Sequence, residues 1–187
     1  MVTNKEIIVV ASEEYTEFAR KISHEISKLE GCNGANWTIK QFEDNEFQLG
    51  GDRYAIFIGN SDENKLTKDF LPVISNLKNK AGVSYGFDGT KAVAFGKGDL
   101  DQEKEFKKVH KEAIVIATGG TIGAGIISPF IIMNPLLWSS IMHGYFLFTY
   151  FNKKKREKKL RKEQTKTALT FFMSEHFDKW IGIEKEE

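Results

Sequence analysis

One cysteine, three prolines and four histidines are all that this 187-residue chain holds of the residues that staple, kink or ligate. Cys32 alone excludes an internal disulfide and fits a reducing compartment. His24, His110, His143 and His176 are scattered, so no Cys/His cluster has zinc spacing, and neither a metal nor a cofactor is expected. The first apolar run ends in Ala11-Ser12-Glu13-Glu14 rather than in a glycine-rich turn, which excludes a dinucleotide fingerprint. A P-loop and a Gly-x-Ser-x-Gly nucleophile motif are absent as well. No signal peptide is visible, because Ile7 to Ala11 follows Lys5-Glu6 and leads into a helix-like segment. The amino end is therefore expected in the cytoplasm.

The largest absence is of charge. Ala113 to Phe151 contains no Lys, Arg, Asp or Glu, in a chain that is 28% charged. A bilayer core takes about 20 apolar residues per helix, so a stretch of this length fits two spans. It divides at Asn134-Pro135 into 113–133 and 136–151. Lys107, Lys108 and Lys111 precede it, and Lys153, Lys154, Lys155 and Arg156 follow it. Positive charge on both flanks places both termini in the cytoplasm, which requires an even number of crossings. Length and charge thus agree on a multi-pass membrane protein with a two-helix transmembrane hairpin.

The rest of the chain reads as a small Rossmann-like α/β layer over 1–98. Glu6 to Ala11 is β-branched and continuous, as a buried strand requires. Ser12 offers an N-cap, and Tyr15, Phe18, Ile22, Ile26 and Leu29 recur at helical spacing up to Gly31. Trp37 to Phe42 and Arg53 to Ile58 read as further strands. Ser61 or Asp62 can cap a helix reaching about Lys78, broken or kinked at Pro72. Val83 to Phe87 and Lys91 to Phe95 flank Asp88-Gly89, a hairpin signal. The expected sheet is mixed, with a parallel core and an antiparallel edge. Residues 99–112 form a helical connector running without Gly or Pro into the apolar stretch. Residues 152–187 hold a basic juxtamembrane segment and an amphipathic helix with Leu169, Phe172, Met173, Phe177 and Trp180 on one face, to lie on the membrane or pack on the α/β layer.

Function is legible only as position. Ligands of open α/β sheets bind outside the carboxyl ends of the strands, where Ser12, Glu13, Asn60, Ser61 and Asp62 are expected. Glu13, Glu14, Asp62 and Glu63 disfavour a highly phosphorylated ligand; capping is the plainer role for these carboxylates. Gly119, Gly123 and Gly125 give small-xxx-small spacing for helix association, so the bilayer and a homo-oligomer are expected partners. Lys153, Lys154, Lys155 and Arg156 suit anionic lipid headgroups. Without interleaved aromatics the basic run does not favour nucleic acid. The reading is a membrane-anchored sensor or effector: a small-molecule or protein activator acts on the α/β domain, which controls assembly of the hairpin and so perturbs or permeabilises the membrane. The alternatives are a membrane-tethered enzyme acting on a nucleotide or similar small molecule, with Glu13 and Asp62 as acid/base residues, or a passive membrane scaffold.

Overall fold

The computed structural model describes residues 4–45, 47–119 and 147–182. Six strands form one sheet: β1 Lys5–Ala11, β2 Cys32–Thr38, β3 Arg53–Ile58, β4 Lys78–Lys80, β5 Val83–Asp88 and β6 Lys91–Gly96, in the order β2-β1-β3-β6-β5-β4. The first three and β6 run parallel; β5 and β4 complete an antiparallel edge. This is the mixed α/β sheet expected from the strand signals. β1 lies between β2 and β3 and is buried on both faces, which is why its run is continuous rather than alternating.

The helices are α1 Thr16–Ile26, α2 Ile39–Asp44, α3 Lys65–Phe70, α4 Glu103–Gly119, α5 Leu147–Glu175 and α6 Phe177–Trp180. One sheet face, with Ile7 and Val9 of β1, is covered by α1, α4, α5 and α6. The opposite face, with Ile8, Val10 and Phe57, is covered by the short α2 and α3 and by Ile74. The carboxyl-terminal aromatic face packs on the sheet: Leu169, Phe172, Met173 and Phe177 are all buried there. Each such side chain contributes about 1.5–3 kcal/mol relative to exposure.

Two elements differ from the sequence reading. The strand expected over Trp37 to Phe42 is shifted: Trp37 and Thr38 end β2, and a reciprocal capping box of Thr38 and Gln41 starts α2 at Ile39. The helix expected from Ser61 to Lys78 is only α3, capped by Asn64; a 3-10 turn at Leu71–Val73 follows, with Pro72 in it, and the chain then enters β4.

The transmembrane hairpin and the multi-pass placement are not supported. Among the described residues no helix is long and apolar enough to cross a membrane. Most of the expected hairpin, with Gly123 and Gly125, falls in 120–146, outside the described residues; Gly119 is the last residue of α4. The flanks of the charge-free stretch belong to helices of the α/β fold: Ala113, the first residue of the expected span, is 1% exposed and packed with Val109 in the core. Helix direction supplies a second reason. Arg156 bonds Glu103 and Thr167 bonds His110, both at 2.9 Å, so α4 and α5 run parallel. From the Arg156–Glu103 contact, at 1.5 Å per residue, α4 extends about 24 Å one way and α5 about 14 Å the other. The two ends of the stretch leave the domain at opposite ends, whereas a two-span hairpin needs them side by side.

At the end of β6 the backbone of α5 comes very close. A Cβ on Gly96 would lie 2.4 Å from the Arg161 carbonyl oxygen and 2.5 Å from Gln164 Cβ. Gly96→Ala should therefore cost about 1–3 kcal/mol, read as a lower urea midpoint at unchanged slope; an unchanged midpoint would contradict this packing.

Candidate functional site

Where β1, β3 and β6 end, one carboxylate gathers three elements. Glu63, in the loop after β3, accepts from the Tyr15 hydroxyl (3.2 Å) and the Asn60 backbone N–H (3.3 Å) at Oε2, and from Arg161 of α5 (3.3 Å) at Oε1. Gly59, at φ 104°, turns the chain out of β3 so that this loop folds back: a Cβ there would lie 3.5 Å from both Glu63 and the Tyr15 ring. The Glu63 side chain is 13% exposed and that of Arg161 26%.

Two asparagines shape the loop. The Asn60 side-chain oxygen accepts from the Asp62 and Glu63 backbone N–H groups, an Asx turn. Asn64 is fully buried and caps α3 through Leu66, while its amide donates to the Ile58 carbonyl (3.1 Å) and the Val10 carbonyl (3.4 Å). It thereby ties the carboxyl ends of β3 and β1 together.

From the other side, Thr165 of α5 accepts from the Gly96 N–H (2.8 Å) and gives its own proton to the Arg161 carbonyl (2.9 Å). The single Tyr15 proton is therefore shared between Glu63 and Thr165, the latter at 3.3 Å. Burial is the main cause that pushes the Tyr15 hydroxyl well above its usual pKa; the contact with Thr165 opposes the shift, and the Glu63 and Glu14 carboxylates add to it. Tyr15 is therefore neutral at any working pH. Beside it, Gln164 accepts from the Gly98 N–H (2.7 Å) and donates to the Ala81 carbonyl (2.9 Å).

Buried polar atoms that lack a hydrogen-bond partner include Arg161 Nε in this cluster and Ser12 Oγ just after β1. Ser12 does not cap a helix, as its sequence position suggested. Its side chain makes no capping bond, and a 3-10 turn at Glu13–Tyr15 intervenes before α1.

Of the five residues expected to bind ligand, Asn60 lies in this cluster, Ser12 follows β1 with its hydroxyl buried, and Glu13, Ser61 and Asp62 are exposed. Sequence reasoning missed Glu63 as a hub, and Arg161 and Thr165 altogether. Their signal was a polar stripe, Arg161, Gln164 and Thr165, continuing the apolar face of α5, and the surrounding run of lysines concealed it. That run is largely ion-paired surface: Arg156 with Glu103 (2.9 Å), Lys158 with Glu14 (3.3 Å) and Lys153 with Glu157 (4.0 Å). Such exposed pairs contribute about 0–1 kcal/mol each. Among the described residues no group of His, Cys, Asp and Glu could hold a metal ion.

Substitution separates the two sets of residues. Thr165→Val, which strands the Gly96 N–H, should lower stability by about 1–3 kcal/mol. Glu13→Ala and Asp62→Ala should stay within about 0.5 kcal/mol of the parent. Denaturant unfolding reads all three, and equal losses would refute the hub.

A comparison of the chain with known proteins finds no matching family model, no matching curated protein and no matching solved structure, so its reading rests on this geometry.

Proposed function

We propose that this protein is a ligand-responsive effector in which the Glu63 cluster holds α5 against the ends of the parallel strands. The observation that carries the reading is the junction itself. One carboxylate binds the β1–α1 turn, the β3–α3 loop and α5 at once, and the arginine it holds carries a buried Nε that lacks a partner. A buried polar group left unsatisfied costs about 1–3 kcal/mol, so the seated arrangement of α5 carries unfilled hydrogen-bonding capacity. A small polar molecule bearing acceptor oxygens, or an activator protein presenting one, satisfies Arg161 and competes with Glu63 for the guanidinium. The acidic rim of Glu13, Glu14 and Asp62 disfavours several phosphates on that molecule.

Output follows from chain order. The middle of the charge-free stretch, 120–146, falls between α4 and α5 in chain order, and α5 carries Arg161 and Thr165. Loosening α5 changes how the chain is anchored on one side of 120–146, whose apolar composition then drives self-association as the effector step. An acid/base role for Glu63 fits less well, because both its oxygens already accept from protein donors.

The test uses the full chain. Arg161→Met removes the charge that holds Glu63 while keeping an unbranched stem. It should raise the mean mass in sedimentation, with near-ultraviolet dichroism retained. Replacing 120–146 in that variant by a Gly/Ser linker of equal length should return it to the parent mass. A variant whose α5 amides lose exchange protection while the mass stays unchanged would refute the coupling.

A further inference from the structure

A second contact between α4 and α5 carries an inference that does not rest on the ligand reading. His110 of α4 sits 2.9 Å, through Nδ1, from Thr167 Oγ1 of α5. Thr167 gives its proton to the Glu163 carbonyl (2.9 Å), so toward His110 it can only accept. The ring therefore donates from Nδ1. Phe106, one turn earlier on α4, packs on the imidazole with centroids 5.5 Å apart, and Phe106, Val109 and Ala113 are themselves buried against the sheet helices. The imidazole is thus wedged in the seam between α4 and α5.

Few charges face it. From α5 they are Glu163 and Lys166, which pair with each other at 3.1 Å. On α4, Lys107 lies one turn earlier and pairs with Glu103 at 3.5 Å. Among the described residues no carboxylate bonds directly to the ring, so an imidazolium here would be partly desolvated and without a close counter-ion among them. We infer that neutral His110 is a pH-sensitive clasp between α4 and α5, whose protonation loosens the packing of the two helices that flank the charge-free stretch.

Burial is the main cause that holds His110 below the usual histidine pKa; Lys166 acts in the same sense, and Glu163 opposes both. A histidine whose folded pKa is depressed favours folding while it is neutral. The stabilisation is therefore complete above the unfolded value of about 6.5 and is lost as the pH falls from there toward the folded value. His176 is lowered too, mainly by burial, but it sits against Tyr85 and Phe87 at the junction of α5 and α6, so a site-resolved readout is needed.

The experiment is a titration of the full chain with labelled histidine, followed by nuclear magnetic resonance together with amide exchange of residues 106–113. His110 should titrate below the reference value, and α4 protection, corrected for intrinsic exchange, should fall across the same pH range by about tenfold per unit of pKa depression. His110→Asn keeps a donor toward Thr167 but does not titrate, so its α4 protection should be flat over that range. Thr167→Val keeps the histidine but replaces the acceptor by apolar surface, so the His110 pKa should fall further below the reference value. A His110 that titrates at or above the reference value would overturn the proposal. So would α4 protection that falls equally in His110→Asn.

Discussion

At the carboxyl end of β6 the helix α5 lies so close to the sheet that Gly96 has no room for a side chain. The rest of the site depends on that approach. It brings the Thr165 hydroxyl onto the Gly96 N–H and the Gln164 carbonyl oxygen onto the Gly98 N–H, which satisfies the backbone where the strand ends. It also delivers Arg161 to Glu63 and thereby closes the cluster around Tyr15. Were α5 about an ångström further out, two buried N–H groups would lose their acceptors and the Arg161–Glu63 pair would open.

The same helix carries two kinds of adhesion. Toward its carboxyl end it is held by apolar burial, with Leu169, Phe172 and Met173 against the sheet, and Trp180 of the following α6 donates to the Gly89 carbonyl. Toward its amino end it is held by polar contacts: Arg161 and Thr165 to the sheet loops, Arg156 and Thr167 to α4. Apolar burial is insensitive to pH and to small polar ligands, whereas ion pairs and a wedged imidazole respond to both. A response concentrated at the amino half of α5, with the carboxyl half as a fixed anchor, follows from this division.

Much of the fold was legible because short-range patterns coincided with burial. The continuous run of β1 marks a strand covered on both faces, and the Asp88-Gly89 signal marks the hairpin between β5 and β6. The capping box of Thr38 and Gln41 was equally present in the sequence, yet alternating hydrophobicity over the same residues outweighed it. The membrane reading went further astray. It treated 113–151 as a unit because charge stops there, but helix α4 runs through Ala113 as a core-facing helix, and composition does not report which surface an apolar residue meets.

The sequence by itself determined the mixed α/β sheet, the uninterrupted α4 and the amphipathic carboxyl-terminal helix, because periodicity, turn chemistry and the absence of breakers are local properties. Only the tertiary structure decided the site. Glu63 and Arg161 are 98 positions apart, and Tyr15 and Thr165 are 150 apart. No local pattern specifies which carboxylate of an acidic loop meets which arginine of a basic helix. That choice was made by the crossing of α5 over β6, through the space left by one missing Cβ.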